Sequence, residues 1–198
     1  MTPKPGLREA KKHETRRALG FAAFELASER GLHGFVVEDV TDRVGVSRRT
    51  FFNYFNRKEE AVVEVGGFVF DDGLTELRNR PADEPLFDSL RAVAELVIGP
   101  KNFALINTLS KIALDYPELV PYDLAVRERM VAGAHDALLA RMPETESGAF
   151  YPLALVHAVF AVLLGAVNYA GEHKDADLSV LVDEAFGYLR AGFTPPQS

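Results

Sequence analysis

The stretch Val37–Val62, VEDVTDRVGVSRRTFFNYFNRKEEAV, decides the reading of this chain. Val37, Val40 and Val44 recur at helical spacing, so 37–44 reads as a short amphipathic helix. Gly45-Val46 is a tight turn, and Ser47 is a good N-cap for a third helix running through Phe55. Asn56 followed by Glu59 resembles a capping box and opens a fourth helix towards Arg80. The segment after the turn concentrates Arg48, Arg49, Asn53, Tyr54 and Lys58 among aromatic rings. Three readings account for it: nucleic-acid contact, a solvated basic face, or a plain amphipathic core helix.

Upstream, Ala18, Leu19, Ala22, Ala23, Leu26 and Ala27 mark one face of a helix from Arg8 to Arg30, which Gly31 is placed to stop. A long helix followed by two short ones across a glycine turn makes a helix-turn-helix. Val40, Val44, Val46 and Phe51 would hold the short helices against the first. The second helix of such a unit enters the major groove with its N-terminal side chains on base edges. Arg48 and Arg49 stand at that position, and an arginine fork can take both O6 and N7 of guanine. Ser47, Thr50, Tyr54 and Lys58 suit phosphate oxygens, Lys58 lying near a helix N-terminus that favours anions. Asn53 completes the candidate DNA set. The bland reading makes the arginines solvated surface and Phe51, Phe52 and Phe55 core.

Composition bounds the alternatives. The 198 residues are 47% hydrophobic and 26% charged, an ordinary globular balance. Cysteine is absent, which excludes disulfides, thiolate zinc sites and cysteine nucleophiles, and fits a reducing cytoplasm. The first residues, MTPKPGLREAKKHETRR, lack the apolar run of a secretory signal. Net charge is −7, but residues 1–60 carry 12 Lys+Arg against 9 Asp+Glu, so the acidic excess lies beyond them. A basic end on an acidic body suits a protein that docks polyanion with that end only.

The remainder reads as helices near 84–98, 102–114, 121–141, 148–171 and 178–192, broken at Gly99-Pro100, Tyr116-Pro117 and Met142-Pro143. No strand alternation, internal repeat or low-complexity linker interrupts them. The expected fold is all-α with about nine helices, divided into a DNA-binding domain over 1–60 and a larger helical domain over 61–198. Residues 147–171 carry no charge and are long enough to span a bilayer. Pro152, His157 and Asn168 inside the run, and Glu146 and Glu172 at its ends, argue instead for a core or subunit-interface helix. A second apolar face follows at Val180, Leu181, Ala185, Phe186 and Leu189.

Arg16 to Val62 resembles the DNA-binding domain of the tetracycline-repressor-like (TetR) family of transcriptional regulators. The matching features are AAFELASERG, then VEDVTDRVGVS, then RRTFFNYFNRKEEAV. The resemblance implies a homodimeric, ligand-responsive repressor that binds a palindromic double-stranded operator in the cytoplasm. It also implies that 61–198 is a helical ligand-binding and dimerisation domain, in which the helix at 147–171 and the face Val180–Leu189 pair with their symmetry mates. Three departures stand out: Val36-Val37 where Thr or Ser usually opens the second helix, Arg49 where a small residue is frequent, and Phe52 in place of a phosphate-binding Tyr. SRRTFFNYF with YPELVPYDLAVRERM is similar to a branch regarded as having an acyl-CoA-like ligand domain.

That likeness implies a hydrophobic effector, with Phe68, Phe103, Ile106, Arg127, Met130, Tyr151, His157 and Asn168 as candidate ligand residues. His157 and Asn168 are read as buried polar groups, and Arg127 as either an ion-pair partner or an anchor for an anionic head. An enzyme is not expected, since HExxH, Walker, GxGxxG and GxSxG patterns are all missing. Neither metal nor cofactor is implied. The competing reading is a helical small-molecule or lipid-binding protein, or an adaptor whose helix-turn-helix binds protein.

Overall fold

The computed structural model describes residues 6–142, 150–173 and 175–193. Among them the α-helices are α1 (Leu7–Arg30), α2 (Val37–Val44), α3 (Arg48–Phe52), α4 (Lys58–Asn79), α5 (Leu86–Ile98), α6 (Pro100–Asp115), α7 (Val120–Leu139), α8 (Phe150–Glu172) and α9 (Leu178–Arg190). Single 3-10 turns lie at Leu32–Gly34 and Pro117–Leu119. The all-α class and the helix count agree with the sequence. The Pro143 break and the expected start at 148 lie outside the described residues. The third helix stops at Phe52 instead of Phe55, because the chain there turns to bring Phe55 inside at 1% exposure.

The chain divides into two compact units, with the division inside α4. The first comprises residues up to Phe68 together with Thr108–Arg127; the second comprises Val69–Asn107 and residues from Glu128 on. The N-terminal unit therefore extends past residue 60 and recruits a segment distant in sequence.

In the first unit α1 buries Leu19, Ala22, Ala23, Leu26 and Ala27, the i, i+3, i+4, i+7, i+8 stripe of a one-sided helix. Val40, Phe51, Phe55, Val62, Val65, Leu109, Ile112 and Leu119 are among the other buried residues of this unit. Gly31 closes α1 at φ +73°, and a Cβ there would lie 2.4 Å from the Tyr116 hydroxyl, so both conformation and space demand glycine. Beside it the His33 ring meets Tyr116 edge-on, and His33 Nε2 lies 3.1 Å from Glu118 Oε1.

A buried ion pair ties α1 to α4. Glu64 is 1% exposed, and Arg16 Nη1 lies 2.8 Å from its Oε1. The same guanidinium lies over the rings of Phe55 and Phe68, at 5.2 and 5.6 Å. Arg17 donates to the Phe68 carbonyl at 3.2 Å.

The second unit packs Phe70, Leu74 and Leu77 of α4 with Leu90, Ala94 and Ile98 of α5, Leu138 of α7, Leu155, Val156 and Val159 of α8, and Val182 and Phe186 of α9. Arg141 takes up carbonyls left open at the end of α4, donating to Leu77, Arg80 and Pro81 at 2.8–3.1 Å. It also reaches the Ser89 hydroxyl, which is fully buried. Glu84 accepts from Arg80 and from Ser89. The Arg80 hydrogen bond, then that from Ser89, pull its carboxyl from the ordinary 4.5 down to about 2.

A carboxylate held down in the fold stabilises it only while ionised. That contribution is complete above the unfolded value near 4.5 and fades as pH falls towards about 2. Glu84→Gln should therefore show a shallower loss of urea midpoint between pH 5 and pH 2 than the parent chain; parallel profiles would remove Glu84 from the acid response.

The charge-free helix has one covered face and one uncovered face. In α8, Leu155, Val156, Val159, Ala166, Val167 and Ala170 are buried. The opposite face, with Ala154, His157, Ala161, Leu164, Gly165 and Asn168, is exposed. The helix is long and apolar enough to cross a membrane by length and composition, and 33% of its apolar window is buried. The α9 face divides differently from the sequence reading: Val182, Ala185 and Phe186 are buried in their own unit, while Val180 is 53% exposed.

Candidate nucleic-acid interface

The turn that positions α3 follows from three local choices. Gly45 takes the left-handed conformation (φ +75°, ψ +37°) that ends α2, with its N–H on the Thr41 carbonyl at 2.8 Å. Ser47 caps α3: its Oγ accepts the Thr50 N–H at 3.1 Å and lies 2.9 Å from Thr50 Oγ1. Phe51, with no exposed surface, then anchors the short helix edge-on and tilted between Phe52 and Phe55.

Val36 has no side-chain acceptor to cap α2, as its apolar character implies. Asp39 supplies the compensation, its Oδ2 accepting the Val36 N–H at 2.8 Å. That backbone hydrogen bond, with help from Arg30, holds the Asp39 carboxyl below its ordinary value. At the start of α4 the reciprocal carboxylate is Glu60, not Glu59: Asn56 N–H donates to Glu60 Oε2 at 2.8 Å.

Arg48 and Arg49 both open α3 and both are exposed. Arg48 lies over Phe52 at 5.5 Å and 3.0 Å from Glu38 of α2. Phe52 is 45% exposed, so it serves as a stacking plate for that arginine and not as core. The Arg48–Glu38 pair is exposed on both sides, and such pairs are worth about 0–1 kcal/mol, so the guanidinium can exchange it for another partner at little cost. Arg49 makes no ion pair among the described residues. Asn53 is exposed at the C-cap of α3, while Thr50 and Tyr54 are half-buried.

Lys58 is placed differently from its expected role. Its ammonium donates to the carbonyls of Leu32 and Phe35, both at 2.7 Å, and sits 4.6 Å from the Phe35 ring centroid. Two of its three donors thus staple the start of α4 to the turn after α1. Sequence reasoning missed this staple and the Glu38–Arg48 pair, because carbonyls 23 and 26 residues away leave no mark on local spacing. It also missed Glu64, whose signal was present: a lone carboxylate in AVVEVGGF.

The eight candidate ligand residues are divided between the two units and differ in burial. Phe103, Ile106 and Met130 pack partly buried against the core of the second unit. Phe68 is buried in the first unit, and Arg127, also there, binds Asp123 at 2.8 Å. Tyr151, His157 and Asn168 are exposed. The expectation that His157 and Asn168 are buried is therefore corrected: an all-apolar helix does not say which of its faces its own domain covers. A separate open depression of about 740 Å³ at the α8–α9 corner is lined by Tyr169, His173, Asp175, Val180, Leu181 and Glu184, none of them in the candidate set.

Comparison with known proteins agrees with this geometry. Residues 22–65 match the family of bacterial regulatory proteins of the tetR type, and residues 108–194 match the MftR C-terminal domain. The chain is 34% identical over 95 residues to the HTH-type transcriptional regulator TcmR of Streptomyces glaucescens, a match spanning 48% of this chain and 42% of that protein. Among solved structures, TetR-family regulators from Syntrophomonas wolfei and a Rhodococcus species each superpose with a TM-score of 0.62, at 15% and 17% identity. They cover 91% and 92% of this chain and 95% and 100% of their own. The fatty acid degradation regulator FadR of Bacillus halodurans superposes at 0.57 with 18% identity, over 96% of this chain and 98% of its own. With a capped α3 behind the Gly45 turn and both halves matched, the chain belongs to the TetR family of transcriptional regulators.

Proposed function

We propose that the protein is a cytoplasmic, homodimeric repressor that binds a palindromic operator and responds to a hydrophobic small molecule. The observation that carries the DNA half is the start of α3, where two adjacent exposed arginines stand on a helix preorganised by Ser47 and Phe51. Ser47, Thr50, Asn53 and Tyr54 are assigned to the surrounding duplex contacts. A regulator of this kind has no catalytic step, so turnover of an effector is not part of the reading.

Dimerisation is supported by the uncovered face of α8. Two-fold symmetry of the protein would be mirrored in two half-sites, about 34–36 Å apart if they lie one helical turn apart. The effector reading is supported by the apolar side chains of Phe103, Ile106 and Met130 on the second unit's core, and by the naming of a similar fold for fatty-acid degradation. An effector shifts the operator-bound population only through unequal affinity for the two arrangements of the protein.

The test is operator selection from a random duplex library, followed by titration of Arg48→Ala and Arg49→Ala. Each should lose about 1–3 kcal/mol on the selected palindrome and relax preference at one or two base pairs. Wild-type affinity and preference in both variants would end the groove assignment. For the effector, operator release is measured across acyl chains of increasing length, where burial adds about 0.8 kcal/mol per methylene until the site is full. Release by cationic aromatic compounds alone would instead favour the acidic, Tyr169-lined depression.

A further inference from the structure

We propose that the first turns of α1 form a second DNA-contacting surface, a basic stripe that grips duplex phosphates outside the half-site read by α3. The proposal rests on the DNA-binding reading above and deepens it. Its starting point is where the charge lies. Residues 1–17 hold six basic and two acidic groups, whereas residues 18–60, which contain the whole helix-turn-helix, hold six basic and seven acidic. The recognition module proper is net negative.

Most cations of that module are also committed internally. Arg43 is bound to Glu29 at 2.8 Å and approaches Glu25, Arg30 pairs with Asp39, Arg48 with Glu38, and Lys58 with two carbonyls. Among the described residues, Arg49 and Arg57 are its cations committed neither to an ion pair nor to a backbone carbonyl. Attraction to a duplex scales with the number of phosphates neutralised, so two free cations supply little of it.

The first turns of α1 supply the remainder. Residues 8–14 are exposed throughout, and the helix becomes half-buried at Thr15 and buried only at Leu19. This part of α1 therefore extends beyond the packed core, and Arg8, Lys11 and Lys12 make no ion pair among the described residues. Arg8, Lys12 and Arg16 recur every four residues and share one face. Arg16 of that face lies over Phe55, in the turn between α3 and α4 that also carries the exposed Arg57. Lys12 and Arg8 continue the face about 6 and 12 Å further along the axis. The stripe thus runs on from the end of the recognition helix, where flanking phosphates would pass.

The experiment uses the full chain and two probes, a random-sequence duplex and the selected palindrome, titrated from 50 to 200 mM salt. Replacing Arg8, Lys11 and Lys12 together by Gln should make the log–log salt slope shallower by about 2–3. Affinity for both probes should fall by about ten-fold or more, with their ratio unchanged. Glu9→Gln with Glu14→Gln, a variant that removes the local acids and no packing contact, should tighten both probes and keeps the test open if the triple variant fails to fold. Unchanged affinity and slope in the folded triple variant, while the wild type binds duplex, would overturn this proposal alone. A wild type that binds neither probe would overturn the DNA reading and this proposal with it.

Discussion

Leu164→Glu should leave the protein folded but monomeric, and should weaken its hold on a two-half-site operator by about 10²–10⁴-fold through loss of paired binding. The expectation comes from the division of α8 into two faces. Leu164 is 40% exposed on the side its own unit leaves uncovered, next to Gly165 and in line with Ala161, His157 and Asn168. A second copy covers that face in the proposed dimer, and a buried, unpaired carboxylate at its centre would be strongly unfavourable. Leu163 and Phe186, apolar residues of the same two helices, are wrong for the experiment. Phe186 is 2% exposed inside the core, and Leu163 packs against the same cluster, so a glutamate at either would unfold the unit before it separated the subunits. Light scattering and circular dichroism on Leu164→Glu give the answer; a dimer of wild-type mass would place the interface elsewhere.

Arg16→Ala should destabilise the N-terminal unit by about 2–4 kcal/mol, because it strips the arginine from a carboxylate that has almost no access to water. Arg16 itself is 30% exposed, which holds the cost below that of a fully buried pair. Part of the loss is packing, since its guanidinium covers Phe55 and Phe68. Replacing both partners, Arg16→Met with Glu64→Leu, should recover more than half of it, since an apolar pair removes the desolvated charge together with its counterion. Urea midpoints of the two singles and the double close the cycle. A neutral Arg16→Ala, or a double equal to the sum of the singles, would show that the pair carries no such energy.

The helix-turn-helix was legible because its determinants are local. A glycine that must adopt positive φ at position 45, a serine whose oxygen reaches its own helix start at 47, and a five-membered stripe along α1 are all encoded within a few residues of where they act. The division of labour among the aromatic rings was legible in part. Phe51 and Phe55 are core, but Phe52 turned outward because α3 is only 5 residues long and the chain bends before its third ring repeats. The departure from family pattern at Val36 and the helix start at Asn56 were visible, while the carboxylates that answer them, Asp39 and Glu60, emerged from side-chain geometry.

By itself, then, the sequence determined the helices, the Gly45 turn and Ser47 cap, the family, and the placement of two arginines at the head of α3. Tertiary structure alone decided which face of α8 is covered, that Lys58 is spent on the Leu32 and Phe35 carbonyls, and that Glu64 is buried against Arg16. It also separated the candidate ligand residues into those on a core and those in solvent. The physical reason is range. Helix periodicity and capping are settled by neighbours three or four residues away, whereas the environment of a side-chain tip is set by partners tens of residues distant, which only the packed chain brings together.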